Sequence, residues 1–128
     1  MADDATSVIV SDGRSPFSAL GASLRMHEWT GGGPPYLHVH HEDDEAWHVL
    51  EGTLAFRFAD REVRAGPGTT VFVPAGVAHT YEELDGPTRY LVVLTPRLDD
   101  LIAELHETPL SGHAAVMARH ASAIVEAF

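Results

Sequence analysis

The chain has 128 residues, 45% of them hydrophobic, and its 19 acidic and eight basic residues give a formal net charge of -11. This length allows one domain with one core and leaves no room for a separate catalytic domain. The negative charge repels phosphate backbones and argues against nucleic acid as a partner, while the absence of cysteine excludes disulfides and thiolate sites.

The beginning of the chain lacks the features of a secretory signal. Residues 1–11 carry two aspartates, and their only apolar run extends from Val8 to Val10. No stretch of the sequence contains the roughly 20 apolar residues that a membrane span requires. We therefore expect a soluble, cytoplasmic protein without a membrane partner.

Between residues 20 and 94, the chain consists of short segments rich in β-branched and aromatic residues, separated by glycine, proline and aspartate. This pattern predicts short strands, and their regular spacing is typical of a sandwich or a barrel. The predicted strands cover residues 20–29, 36–40, 46–50, 53–58, 70–73, 79–83 and 88–94.

The hydrophobic period changes after residue 94 to that of a helix. Thr95 is suited to the N-cap and Pro96 to the first helical position, and two apolar stripes at helical spacing follow. We predict a barrel over about 7–95 and C-terminal helices over about 96–126. The stripes consist of Leu98, Leu101, Ile102 and Leu105 in the first helix and Met117, Ala121, Ile124, Val125 and Phe128 in the second.

Two apolar features predict a homodimer. A strand at Val8 to Val10 and two helix stripes present more apolar surface than we expect a small barrel to cover by itself. We expect a second copy of the chain to cover part of this surface.

Four potential metal ligands occur at informative spacings. Residues i and i+2 of a strand share a face, so His38 and His40 project together, whereas His41 points away. Glu45 follows a short acidic bend, and His79 follows a tight turn that can deliver it from a neighbouring strand. Three imidazoles and one carboxylate suit one divalent transition metal ion with open coordination positions, and iron, manganese, nickel, cobalt, copper and zinc all fit.

The same alternation predicts what surrounds the ion. Trp47 shares the face of Glu45, and Tyr81 and Glu83 share the face of His79, which gives a largely apolar pocket with a few polar groups. Tyr36 and Trp47 fit a plain core position equally well. The predicted contacts to a small-molecule substrate or ligand are Tyr36, Trp47, Phe56, Phe58, Tyr81 and Glu83.

Other polar residues are predicted to lie outside the site. The acidic run 42–44 is interpreted as a solvated turn. Five histidines are interpreted as solvated or interface residues and not as ligands: His27, His48, His106, His113 and His120.

Two blocks of the sequence reproduce the conserved motifs of the cupin superfamily, G(x)5HxH(x)3-4E(x)6G and G(x)5PxG(x)2H(x)3N. The chain resembles small single-domain cupins of the quercetin-dioxygenase-like kind, except that Glu83 replaces the usual asparagine. The resemblance implies an all-β double-stranded β-helix, or jelly-roll barrel, which is usually dimeric and holds a metal. The first motif is formed by Gly32, His38, His40, Glu45 and Gly52, and the second by Gly68, Pro74, Gly76 and His79.

Three functions are compatible with this site. The leading hypothesis is a metal-dependent dioxygenase acting on a small enolic or phenolic compound in the lumen, with Glu45 as a ligand or as a catalytic proton acceptor. The second is a non-redox isomerase, lyase or decarboxylase in which the ion is a Lewis acid. The third is a non-catalytic cupin that binds a small ligand or a metal, because a shared barrel does not select the reaction.

Overall fold

A computed structural model of the chain describes residues 8–127. Ten strands and two α-helices lie within these residues. The strands are Ser18–Leu20 (β1), Arg25–Trp29 (β2), Tyr36–His40 (β3), Glu45–Glu51 (β4), Leu54–Phe58 (β5), Glu62–Ala65 (β6), Thr70–Val73 (β7), His79–Glu83 (β8), Arg89–Leu94 (β9) and Ser122–Ala127 (β10). The helices are Pro96–His106 (α1) and His113–Arg119 (α2), and a 3₁₀ turn at Leu110–Gly112 connects them.

The strands form two antiparallel five-stranded sheets. One has the order β1-β2-β9-β4-β7 and the other β10-β3-β8-β5-β6. The core lies between them, and along β4 buried side chains alternate with half-buried ones, as the two-residue period of a strand requires. The predicted double-stranded β-helix with a short C-terminal helix is therefore confirmed. The strands predicted at 36–40, 70–73 and 79–83 have these bounds in the structure.

Two strand predictions were wrong. The segment 20–29 is not one strand but a tight hairpin of β1 and β2, because Gly21 donates to the carbonyl of Leu24 and a Cβ at Gly21 would lie 2.5 Å from that oxygen. Strand β6 was missed because it is an edge strand of only four residues, too short for its alternation of charged and apolar residues to stand out.

Helix α1 begins as predicted. Thr95 is the N-cap, and its hydroxyl oxygen accepts a hydrogen bond from the amide of Leu98 at 3.2 Å. The prediction of a fully solvated turn at 42–44 was wrong for Asp43, which is 6% exposed and accepts a hydrogen bond from the Thr95 hydroxyl at 3.0 Å. Arg97 lies 3.2 Å from the other oxygen of this carboxylate, so Asp43 ties the start of α1 to the turn before β4.

The second predicted helix was wrong beyond residue 119. Helix α2 ends at Arg119, and Ala121 has a positive φ of 53°, which redirects the chain into β10. Strand β10 pairs with the edge of β3, with Ile124 opposite His38. The β-branched pair at 124–125 suits this pairing, because the tertiary partner outweighs helical periodicity. Residue 7, the predicted start of the barrel, and Phe128 lie outside the described residues.

The predicted strand at Val8 to Val10 is not formed. These three residues have no strand pairing, and their exposed fractions are 85%, 57% and 84%. Within residues 8–127, no helix is long and apolar enough to cross a membrane.

Candidate metal centre

Both sheets contribute to one cluster of polar side chains at the centre of the barrel. His38 and His40 project from β3, and His79 begins β8 directly opposite His38 in the antiparallel register. Glu45 begins β4 in the other sheet. None of the four is more than 5% exposed. The structure therefore brings the four predicted ligands together, although His38 and His79 are 41 residues apart in the chain.

The distances within the cluster suit a cation. One nitrogen from each of the three histidines lies within 4.8 Å of the other two. The Oε1 atom of Glu45 lies 3.4 Å from Nε2 of His40 and 3.4 Å from Nε2 of His79. Among the described residues, Oε1 of Glu45 and Nε2 of His79 have no hydrogen-bond partner despite being buried. Buried polar atoms are rarely left unpaired, so these residues fit a metal ion coordinated between them.

The other ring nitrogen of each histidine is held by an oxygen atom. The Nδ1 atom of His38 contacts the Tyr36 carbonyl at 3.3 Å, and that of His79 contacts the Val77 carbonyl at 3.0 Å. A carbonyl can only accept, so Nδ1 carries the proton in both rings and Nε2 keeps its lone pair for the cluster.

His40 is held in the same way by a residue of β10. The hydroxyl of Ser122 donates to the carbonyl of His120 at 3.0 Å, so its oxygen accepts the Nδ1 proton of His40 at 2.8 Å. Such partners of a metal-binding histidine fix its tautomer and its ring orientation. Because the C-terminal segment was predicted to be helical, the sequence analysis missed Ser122.

A glycine turn explains how His79 reaches the cluster. Gly76 has a φ of 91°, which favours glycine, and its amide donates to the carbonyl of His40 at 2.7 Å. The amide of Ala75 donates to the carboxylate of Asp44 at 2.8 Å. The turn is thus fixed to both ends of the bend between β3 and β4, and it holds the start of β8 against His38.

The electrostatics of the cluster favour the protonation states that bind metals. Burial lowers the pKa of His38 to about 3, with smaller contributions from the nearby His79 and His40, so this imidazole is neutral at neutral pH. Burial raises the pKa of Glu45, but the adjacent His40 and His79 outweigh it and lower the pKa to about 2. A neutral imidazole and an ionised carboxylate are the ligand forms that a divalent ion requires.

A cavity of about 550 Å³ opens beside the cluster. Its lining includes the predicted residues Trp47 and Tyr81, and it contains no arginine or lysine among the described residues. Much of the wall is apolar or aromatic. The larger side chains of the wall are Trp29, Trp47, Tyr81, Tyr90, Leu101, Ile102, Leu105 and Met117.

Four residues predicted as ligand contacts lie outside this lining. Tyr36 is buried, and its hydroxyl donates to Nδ1 of His113 at 2.6 Å, because Nε2 of that ring donates to the carbonyl of Thr108. Phe56 is fully buried in the core. Phe58 lines a separate cavity of about 310 Å³ next to β7. Glu83 is exposed and is not part of the lining.

The sequence analysis missed the contribution of the two helices to the cavity. Periodicity predicted that α1 has an apolar stripe, but it could not show that this stripe faces the lumen. His113, interpreted as solvated or as an interface residue, is 9% exposed and belongs to the lining. The helical residues that line the cavity are Leu101, Ile102, Leu105, His106, His113 and Met117.

Comparisons with known proteins agree with this architecture. The model of the cupin domain family matches residues 24–94, which is more than half of the chain. The chain therefore belongs to the cupin family.

An uncharacterized protein of Streptomyces coelicolor is 36% identical over 56 residues, or 44% of this chain and 53% of its own length. The chain thus spans about half the length of this curated relative. Among solved structures, a cupin-2 domain protein of Shewanella frigidimarina has a TM-score of 0.54 and 24% identity, and the match covers 66% of this chain and 82% of that one. A sugar phosphate isomerase of the cupin superfamily from Silicibacter pomeroyi has a TM-score of 0.50 and 27% identity, and the match covers 59% of this chain and 52% of that one.

Proposed function

We propose that the protein is a metal-dependent cupin enzyme of the dioxygenase type that acts on a small enolic or phenolic compound in the barrel lumen. One divalent transition metal ion is held by His38, His40, Glu45 and His79. The observation that carries the proposal is that three buried imidazoles and a buried carboxylate form one cluster, of which His38, His40 and Glu45 line a largely apolar cavity. The resemblance of the sequence to small quercetin-dioxygenase-like cupins favours the same class of reaction, whereas its two motifs support only the metal site.

The residues of the chain have defined roles in this proposal. The bound ion supplies Lewis acidity and, where it is redox-active, electron transfer to or from the substrate and oxygen. Glu45 is ionised, so it would either hold the ion or, when not coordinated, accept the proton of a substrate hydroxyl. The apolar wall excludes water, which strengthens the electrostatic contacts inside.

The cavity favours an uncharged, flat substrate. Its lining contains the carboxylates of Glu28 and Glu45 and, among the described residues, no arginine or lysine that could pair with a phosphate or carboxylate group. Trp29, Trp47 and Tyr81 supply aromatic surface on which a planar ring can pack. A phenol or an enol meets both conditions.

The likeness to a sugar phosphate isomerase supports a second candidate, a non-redox isomerase that uses the same ion only as a Lewis acid. Among the described residues, the lining contains no arginine or lysine to hold a phosphate group, which argues against a phosphorylated substrate for this chain. Zinc, which does not change its redox state, would sustain the isomerase reaction but not the oxygenase reaction.

The metal site is tested by comparing the wild type with the variants His79→Ala and His41→Ala. His41 is exposed and lies outside the cluster, so it is the matched control. We expect one bound ion per chain in the wild type and in H41A, and loss of the ion in H79A, when stripped protein is reloaded and its metal content is measured. Equal metal content in H79A and H41A would contradict the site.

The reaction is tested with protein loaded separately with iron, manganese, nickel, cobalt, copper or zinc. We expect oxygen uptake with flavonols or related enols in at least one redox-active form and none in the zinc form. Turnover without oxygen uptake in the zinc form would favour the isomerase, and binding without turnover in every form would favour a non-catalytic cupin.

A further inference from the structure

Trp47 presents a buried donor to the cavity. Its side chain is 1% exposed, lines the cavity and lies two residues after Glu45 on β4, so both project from the same face. Among residues 8–127, its indole N–H has no acceptor at hydrogen-bond geometry. An indole N–H can only donate, and a buried donor without an acceptor is unfavourable. This donor is therefore suited to an oxygen atom that a ligand brings.

Tyr81 provides a polar atom next to this donor. The rings of Trp47 and Tyr81 lie 5.3 Å apart, centroid to centroid. A tyrosine hydroxyl can donate one hydrogen bond and also accept. The hydroxyl of Tyr90 donates to the carbonyl of Gly31 at 3.0 Å, so Tyr81 donates to Tyr90 at 2.9 Å. The oxygen of Tyr81 keeps a lone pair that can accept from a ligand hydroxyl.

The position of Tyr81 is fixed before any ligand enters. A Cβ atom at Gly33 would lie 2.8 Å from Cε1 of Tyr81, so the ring packs on a surface that only glycine provides. The amide of Gly33 donates to the carbonyl of Tyr81 at 2.8 Å. A preorganised group of this kind binds a ligand without losing further side-chain entropy.

The two groups lie beside the histidine cluster, because the ring of Trp47 is 5.7 Å from that of His79. We propose that the indole N–H of Trp47 and the hydroxyl oxygen of Tyr81 form a second polar anchor for the ligand. The anchor selects planar phenols and enols that carry a second oxygen on the carbon next to the metal-bound one. This inference rests on the proposed function in that the first oxygen binds the ion.

The test uses catechol, which has two adjacent oxygens, and phenol, which has one. Both are titrated calorimetrically into zinc-loaded and metal-free protein, for the wild type and for Trp47→Phe and Trp29→Phe. We expect the ratio of the affinities for catechol and phenol to fall about tenfold in W47F, because a factor of this size corresponds to the loss of roughly one hydrogen bond. Trp29 also lines the cavity, so W29F is the matched control: it can weaken the binding of both probes, but we expect it to leave the ratio of their affinities unchanged.

A second measurement does not depend on whether W47F folds. In the wild type, the indole N–H resonance of Trp47, assigned with W29F, is expected to move downfield with catechol and not with phenol. An unchanged preference in W47F, an equal loss for both probes, an unmoved resonance or no catechol binding in either form would overturn the anchor. Failure to bind zinc overturns the proposed function instead, and the metal-free titrations then still measure the anchor.

Discussion

Each imidazole of the cluster is held at Nδ1 by an oxygen, but only His40 depends on a side chain for this. Its acceptor, Ser122, lies 82 residues further along the chain. The carbonyl acceptors of His38 and His79 come from the residue two positions earlier. The orientation of two imidazoles is therefore local, whereas that of the third depends on the arrival of β10.

The variant Ser122→Ala tests this dependence. It leaves Nδ1 of His40 without its acceptor, and we expect the affinity for zinc to fall about 10- to 100-fold, as measured by competition with a chromophoric chelator. Thr70→Ala is the matched control, because it removes the 2.7 Å contact between a hydroxyl and Nδ1 of His48, outside the cluster. An affinity in S122A equal to that of T70A would contradict the positioning role.

Glu83, which stands where the family motif has asparagine, ties two loops together. Its Oε2 atom accepts from the amide and the hydroxyl of Thr88 at 2.9 Å and 2.7 Å and from the amide of Gly31 at 3.2 Å. The hydroxyl and amide of Thr88 lower the pKa of Glu83, and the Gly31 amide adds to this effect. Glu83 is therefore a charged acceptor that links the loop before β3 to the loop before β9.

A lowered pKa in the folded state means that the ionised form stabilises the fold. This contribution is present above the ordinary pKa of 4.5 and is lost as the pH falls through the lower folded value. We expect Glu83→Gln to have a lower free energy of unfolding than the wild type at pH 7, and the difference to shrink on acidification, as measured by urea unfolding. A difference that grows as the pH falls would contradict this assignment.

At the scale of elements, the C-terminal segment completes the cavity and the histidine cluster. The family match ends at residue 94, and α1, α2 and β10 all follow it. The helices add an apolar wall to the cavity, and β10 adds the acceptor for His40. Helix α1 is held by Asp43, so the bend that leads to Glu45 also sets the position of this wall.

The variant Asp43→Ala tests the attachment of α1. It removes the buried acceptor of the Thr95 hydroxyl and the ion pair with Arg97, and we expect a loss of about 1–3 kcal/mol in the free energy of unfolding. Glu42→Ala is the control, since its 3.3 Å contact to Arg97 is exposed and surface ion pairs contribute about 0–1 kcal/mol. Equal unfolding midpoints for D43A and E42A in urea would refute the attachment.

At the scale of the whole molecule, the cluster connects the two sheets. Glu45 belongs to one sheet and the three histidines to the other, so an ion bound between them crosslinks the barrel. A ligand that binds only the folded state stabilises it by about 2.7 kcal/mol at a free concentration 100 times its Kd. We expect zinc to raise the unfolding temperature of the wild type and of H41A but not of H79A, as measured by calorimetry. An equal rise in all three would contradict the crosslink.

The proposed homodimer depends on apolar surface that the chain leaves uncovered. The stripe of α1 is buried within the chain at Leu98, Leu101 and Leu105, so it no longer supports an interface. Val8 and Val10 remain largely exposed, and an apolar segment of this kind is typical of a contact with another chain. We expect a dimer in sedimentation experiments at micromolar concentration; a monomer at every concentration would contradict it.

Local patterns in the sequence predicted much of the site. Strand alternation placed His38 and His40 on one face and His41 on the other, because the two-residue period is a property of the backbone. Turn residues and the Thr95–Pro96 cap likewise act over a few residues, so the β-rich fold and the start of α1 were predictable. Glu45 and His79 lie on other strands, so the strand period could not relate them to His38 and His40. Only the spacing of the family motifs assigned them to the same site.

Contacts between distant segments were decided by the tertiary structure alone. Residues 122–127 have a helical pattern but form β10, because pairing with the free edge of β3 satisfies backbone groups that a helix would not reach. Phe56 and Trp47 are both inward-facing aromatic residues, yet only Trp47 borders the cavity. The sequence by itself determined which side chains face inward; the packing of two sheets and a C-terminal helix pair determined which of them meet a ligand, because that depends on the space left between elements.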